Sequence, residues 1–402
     1  MSPPPGRPKE GSLPLGGKAR SAQGAMSVEQ DLAALREQVV AANHDRRPLR
    51  IAGGGTKSFY GRPVQPSVPA PSTAGSPATS SAAEILDCRV NRGIISYEPT
   101  ELVVSARCGT PLVDLEQALA ENRQYLPFEP PHFGAGATLG GAVAAGLSGP
   151  RRMAAGALRD YVLGTTLLTA NGEVLRFGGE VMKNVAGYDV SRLLAGSLGV
   201  LGVIAEVSMK VLPLPAAELT VGFELGHAQA IRRCNQWGGQ PLPISATLWE
   251  EGRLWVRLSG ATAAVSAAAA RLGGETLAPE QAATLWLSVR EQTHAFFADA
   301  AVLWRLSLPP ATPPLELTGR QLVEWGGALR WHVPAHDQAS AQVLRDLVTA
   351  VGGSATLFRA GPRASVARFH PLDPAIRQIH LRVKQAFDPN RIFNPGRLYD
   401  WL

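Results

Sequence analysis

Apolar residues at helical spacing, Leu32, Leu35, Val39 and Val40, predict a helix that begins at Val28. Residues 48–52 then read as a short strand ending in Gly53-Gly54-Gly55-Thr56-Lys57. Strands at 94–97 and 102–107 and a helix at 111–122 follow. The firmest hairpin has arms at 163–169 and 174–177 around Asn171-Gly172, a pair of residues suited to a tight turn. Period-two alternation of Val203, Ala205, Val207, Met209 and Val211 predicts a buried strand. Beyond residue 215, strands at 220–225, 245–249 and 254–259 alternate with helices near 227–237 and 261–272, an order that suggests a ferredoxin-like sandwich. A second set follows: helix 279–298, strand 302–308, hairpin 321–332, helix 337–351 and strand 355–358, before a last helix at 373–387. The class is α+β.

Composition narrows this picture. The chain has 402 residues, enough for two or three domains with real cores. A net charge of +6, from 39 basic and 33 acidic residues, is spread too thinly to argue for nucleic acid. No run reaches the roughly 18 apolar residues that a bilayer span needs. The three cysteines, Cys88, Cys108 and Cys234, are too dispersed for a disulfide framework, a zinc site or an iron–sulfur cluster, and no metal site is expected. Residues 1–25 and 64–82 are rich in Pro, Gly, Ser and Ala and read as a disordered leader and a surface insertion. The native start is expected at Met26. All eight tryptophans lie after residue 236 and read as packing residues, or else as part of a subunit contact.

Glycine carries the candidate chemistry. Gly196, Gly199 and Gly202 recur every third residue, either as an approach for something flat or as a tightly packed helix–strand corner. Gly53–Lys57 lacks the glycine that must precede the lysine of a Walker loop. The run from Gly134 to Gly140 has neither the entering strand nor the following acidic residue of a Rossmann fingerprint. What remains is a diphosphate cradle: an anion nest at Gly53, Gly54 and Gly55, with further donors from Thr138-Leu139-Gly140-Gly141.

These strings resemble a known family. GGGT after a short strand, and ATLGGAVAAG, look like the two diphosphate loops of the vanillyl-alcohol-oxidase (PCMH-type) FAD-binding fold. DYVLGTTLLTANGEVLRFGG, KNVAGYDVSRLLAGSLGVLGVIAEVSMKVLP and FDPNRIFNPGRLY resemble its glycolate oxidase branch. EPPHFGAGATLGG, GLSGPRR and QLVEWGGALRW point to the E-subunit group of that branch. The resemblance implies a PCMH-type domain of two α+β subdomains at 26–215, a ferredoxin-like cap at 216–372 and a C-terminal segment at 373–402 that returns to the flavin domain. It implies FAD held by Gly53, Gly54, Gly55, Thr56, Lys57, Thr138, Leu139, Gly140 and Gly141, with Gly156, Asp160, Gly199, Val203, Ile204 and Asn394 along the cofactor. A histidine marks covalent members in the first loop. This chain has Thr56-Lys57 there, so the flavin is expected to be non-covalent.

The implied activity is oxidation of glycolate to glyoxylate. The implied partners are a second FAD-containing subunit and an iron–sulfur subunit, and the implied location is cytoplasmic, with any membrane contact made through those partners. The histidine-rich metal and substrate motif of catalytic members is missing. His132 as a base and Arg151 and Arg152 as carboxylate-binding cations are the catalytic candidates. Two other readings stand beside this one: an assembly subunit with a structural flavin site, and a self-sufficient enzyme acting on a lactate-like acid.

Overall fold

Good helix formers around Met26 extend the first helix upstream of the expected Val28, so that α1 spans Ala22–His44 and turns Leu35, Val39 and Ala42 into the core. The computed structural model describes residues 22–64, 83–179, 189–335, 340–360 and 366–402, with backbone alone for 22–29. Most of the expected leader, nearly all of the expected insertion and the segment 180–188 therefore lie outside the described residues.

After α1, β1 (Leu49–Ala52) pairs in parallel with β2 (Glu84–Asp87). β3 (Ile94–Glu98), β4 (Val103–Arg107) and α2 (Leu112–Ala120) follow, then β5 (Gln124–Tyr125), α3 (Leu139–Ala145) and α4 (Arg152–Ala155). β6 (Val162–Leu168), β7 (Val174–Gly178), α5 (Val190–Leu194), β8 (Val203–Lys210) and β9 (Leu212–Pro213) complete this half. Five of the strands form an antiparallel sheet in the order β3-β4-β8-β6-β7. β8 sits at its centre, and its alternation is real: Val203, Ala205, Val207 and Met209 are buried while Glu206, Ser208 and Lys210 are half-exposed. Ile204 is buried too, because the register slips between Thr166 and Leu167 of β6.

The tryptophan-rich half forms a single eight-stranded antiparallel sheet. Its first unit is β10 (Ala217–Glu224), α6 (His227–Gly238), β11 (Ile244–Glu250), β12 (Arg253–Gly260), α7 (Thr262–Leu272) and β13 (Glu275–Thr276), ordered β13-β10-β12-β11. That is the ferredoxin-like order 4-1-3-2. Helices α8 (Pro279–Glu291) and α9 (Ala295–Ala298) replace the single expected helix, because Gln292 takes a left-handed conformation at φ 53° and ends α8. β14 (Leu303–Ser307), β15 (Gly319–Glu324), β16 (Leu329–Pro334), α10 (Ala341–Ala350) and β17 (Ser354–Arg359) repeat the same strand order, with a loop in place of the first crossover helix. The two units join edge to edge through β11 and β15.

One face of this sheet carries Leu303, Leu322, Trp331 and Phe358, against which Phe59, Tyr60, Phe133 and Leu147 of the first half pack. Finally α11 (Pro374–Phe387) and the tail rejoin the first half, where Ile392, Phe393 and Leu402 share a core with Leu49, Val143 and Val203. Among the described residues no helix is long and apolar enough to cross a membrane.

Candidate functional site

The first two glycine loops meet backbone to backbone. A side chain on Gly54 would place its Cβ 1.5 Å from the carbonyl oxygen of Gly136, and one on Gly53 would reach Thr138 Oγ1 at 2.5 Å. The backbone N–H groups of Gly53, Gly54, Gly55, Thr56 and Lys57 donate to no acceptor among the described residues. Consecutive unspent donors beside a contact that only glycine permits are what an anion cradle requires. The second loop contributes differently from expectation. Leu139 N–H donates to Thr110 O (2.9 Å), Gly140 N–H to Cys108 O (2.8 Å) and Gly141 N–H to Thr138 Oγ1 (3.2 Å), which caps α3. Thr138–Gly141 thus braces the cradle, and the free donors sit on the first loop and on Gly134, Ala135 and Gly136.

The C-terminal motif locks this arrangement. Asn394, at φ 41°, accepts from Ile51 N–H (2.9 Å) through Oδ1 and donates to Leu198 O (2.7 Å) through Nδ2, joining β1 to the glycine triplet. Lys384 Nζ reaches Asp388 (2.7 Å), Val200 O (2.6 Å) and Phe393 O (3.0 Å), all buried. Arg397, which sequence reasoning passed over, donates to the carbonyls of Lys57, Ser58, Tyr60 and Arg62. Burial pushes its guanidinium down to about 10.

A cleft of about 740 Å³ runs from this cradle toward the second half, lined by Thr56, His132, Phe133, Gly134, Arg290 and Arg359 among others. Lys57 Nζ lies 3.2 Å from His132 O, and burial brings its ammonium down to about 8 against the opposing pull of Glu291. His132 Nε2 is 3.2 Å from Glu116 Oε2 but out of hydrogen-bonding alignment. Glu291 meanwhile accepts the N–H groups of His132 and Phe133.

The paired arginines separate. Arg151 is buried against Glu129 (3.3 Å) and Glu218 (2.5 Å), and Arg257 completes the network at 2.9 Å from Glu129. Burial opposes both charges, yet the guanidiniums hold Glu129 below the usual carboxylate range, and the carboxylates raise Arg151. Arg151 therefore ties the two halves together. Arg152 lines a partly open pocket of about 40 Å³ with Gly146–Pro150, Arg290, Arg305, Glu324, Trp331 and Phe358.

Gly156 and Asp160 form a local turn in which Asp160 Oδ2 accepts from Ala157 N–H (2.8 Å). Val203 and Ile204 place their side chains in the core of the first half. Of the glycine triplet, Gly199 lies against Asn394 and Gly202 against Leu167, while Gly196 has open space where its side chain would be.

An FAD binding domain model matches residues 29–178. Glycolate oxidase subunit GlcE of Escherichia coli K12 is 47% identical over 367 residues, which is 91% of this chain and 97% of that one. Glycolate oxidase subunit GlcD of Bacillus subtilis is 33% identical over 128 residues, 32% of this chain and 27% of its own. D-lactate dehydrogenase of Anaerostipes hadrus is 31% identical over 159 residues, 40% of this chain and 33% of its own. Among solved structures, alkyldihydroxyacetonephosphate synthase superposes with a TM-score of 0.61 at 14% identity, over 90% of this chain and 74% of that one. The last likeness is one of fold. The first extends along nearly the whole of both chains, and with it this chain belongs to the glycolate oxidase subunit GlcE family of FAD-binding proteins.

Proposed function

We propose that this chain is the FAD-binding subunit of a multisubunit glycolate dehydrogenase. In this reading it oxidises glycolate to glyoxylate and passes electrons to a second FAD-containing subunit and an iron–sulfur subunit. The observation that carries the reading is the row of unspent N–H groups from Gly53 to Lys57, pressed against Gly136 where no side chain fits. These groups would hold the cofactor's diphosphate non-covalently, and Arg397 would keep the loop in place from behind. When bound, FAD supplies a two-electron acceptor for the hydrogen on carbon 2 of a hydroxy acid. The chain's own contribution is then to bind the acid's carboxylate, take up its hydroxyl proton and exclude water.

Full-length likeness to the E. coli subunit supports glycolate as the substrate. All three cysteines are free and buried in separate parts of the sequence, which supports placing an iron–sulfur relay in a partner. We place the chain in the cytoplasm, with any membrane contact made by its partners, and assign residues 26–215 to the flavin domain and 216–372 to the cap.

The test is one preparation. The purified chain is expected to show a flavin spectrum that glycolate leaves unbleached under anaerobic conditions until the partner subunits are added. Bleaching in the chain alone would make it self-sufficient. A colourless chain that still assembles would refute a role in electron transfer.

A further inference from the structure

Several features of the pocket lined by Arg152 go beyond the flavin cradle. Arg152 enters from the first half and Arg305 from β14, and their guanidiniums lie 4.6 and 5.3 Å from the centre of the Trp325 ring. Neither guanidinium makes a hydrogen bond or salt bridge among the described residues. The third lining arginine, Arg290, is already engaged at 2.8 Å by Glu291. Glu324 is the one carboxylate in the lining. Its Oε1 accepts from Trp331 Nε1 (2.7 Å), while Oε2 accepts from nothing among the described residues. Two guanidiniums with no carboxylate of their own, facing one carboxylate, leave a net positive charge, an arrangement that a monoanion would complete.

The turn that presents Trp325 is also held under strain. Trp325 itself lies at φ 54°, a region that bulky residues avoid, followed by Gly326 at 65° and Gly327 at 109°. Trp325 Nε1 donates to Gly149 O (3.2 Å), Gly326 N–H to Thr247 Oγ1 (2.8 Å), and Asn235 Nδ2 to Gly326 O (3.2 Å). Three separate elements thus fix the ring between the arginines.

We infer that this cavity is the binding site for a small 2-hydroxy carboxylate, with Arg152 and Arg305 holding the carboxylate and Glu324 Oε2 accepting the 2-hydroxyl. The inference rests on the proposed function for the identity of the acid and adds the residues that hold it and the limit on its size. A space of about 40 Å³ is small, on the scale of roughly three waters, and is not sealed from solvent, so a two-carbon acid fits it with the least rearrangement. Burial supports the role of Glu324 by bringing its carboxyl up to about 7, against the hydrogen bond from Trp331 and the charge of Arg305. Glu129 adds to that rise and Arg257 opposes it. Burial also lowers Arg152 and Arg305, each of which would regain a counter-charge from the ligand.

The test is calorimetric titration of the full-length, flavin-loaded chain, with its partners if it is isolated with them, using glycolate, acetate and 2-hydroxy-3-methylbutanoate. Wild type is expected to prefer glycolate to both. Arg152→Gln and Arg305→Gln should each weaken glycolate and acetate about tenfold or more, the loss of a charge-assisted hydrogen bond. Glu324→Leu should equalise glycolate and acetate. Should one arginine variant fail to fold, as judged by its melting curve, the other carries the same expectation from the opposite wall. Unchanged glycolate affinity in a folded arginine variant overturns the inference, as does a surviving preference for glycolate over acetate in Glu324→Leu. The visible spectrum of the same samples reports the flavin separately, so a failed cofactor reading and a failed carboxylate site give different results.

Discussion

Gly199→Val tests whether the glycine triplet serves the cofactor. The backbone at Gly199 has φ 72°, and a Cβ there would lie 2.8 Å from Asn394 Nδ2 and 3.4 Å from Ile51 Cδ1. Valine thus meets the residue that joins β1 to the triplet, rather than open space. Left-handed backbone costs an L-residue about 1–2 kcal/mol. Displacing Asn394 removes its bonds to Ile51 N–H and Leu198 O, each worth about 1 kcal/mol net and more if the buried partner is left unpaired. The sum is roughly 3–5 kcal/mol, a large share of the ~5–15 kcal/mol that stabilises a typical domain.

Gly196→Ala is the internal comparison. Its φ of 87° carries similar backbone strain, but no atom lies within 4 Å of the added Cβ. It should cost only about 1–2 kcal/mol. Urea unfolding midpoints and flavin absorbance per chain would be read for both variants and for Gly199→Val in an Asn394→Ala background. In that background the valine should lose about 1–3 kcal/mol of its effect, because its main victim is already gone. If Gly199→Val keeps wild-type flavin occupancy and unfolds at the wild-type midpoint, the proposed link from triplet to cradle through Asn394 is wrong.

Gly54→Ala should abolish flavin binding, read from the visible spectrum of the purified chain, because its Cβ cannot coexist with the Gly136 carbonyl; retention of full colour would remove the cradle. Arg397→Met should lower flavin affinity at least about tenfold in an equilibrium titration, by releasing the carbonyls of residues 57–62. Lys384→Met leaves the Asp388 carboxylate buried without its cation and should cost about 3 kcal/mol in denaturant unfolding. The Glu324 carboxyl titrates higher in the folded chain than in the unfolded one, so its contribution is full below about pH 4.5 and is lost as pH rises through about 7. Unfolding curves should accordingly show Glu324→Gln gaining on wild type across that interval and running parallel to it above; a constant difference would mean the carboxyl is not raised.

The meeting of the two glycine loops was legible because close contact between backbones leaves glycine behind wherever it occurs. Gly54 and Gly136 are far apart in sequence, yet each had to lose its side chain for the same contact, and both stood out. The donor count was not legible. Nothing in Thr138-Leu139-Gly140-Gly141 announces that its N–H groups are spent on Thr110, Cys108 and Thr138 itself, since that depends on where β4 ends. Arg397 was missed for a similar reason, because an arginine in a loop has no periodicity to betray that it grips four carbonyls.

The cavity was hidden by the architecture of the second half. Strand alternation puts Arg305 on the face of Leu303 and Glu324 on the face of Leu322, but it does not say what covers that face. Here α6 and α7 or α10 pack on part of the sheet while Phe59, Tyr60 and Phe133 of the first half cover the other face. The polar positions of β14 and β15 point into an interface between halves, and only the assembled fold brings Arg152 up to meet them. One mark was present all the same. Trp325 stands before two glycines in a hairpin turn, and a bulky residue forced into the left-handed region beside them needs contacts strong enough to offset the strain. A hairpin at 321–332 requires only that two strands pair, whereas the tryptophan in its turn carries two arginines on its ring, one from each half.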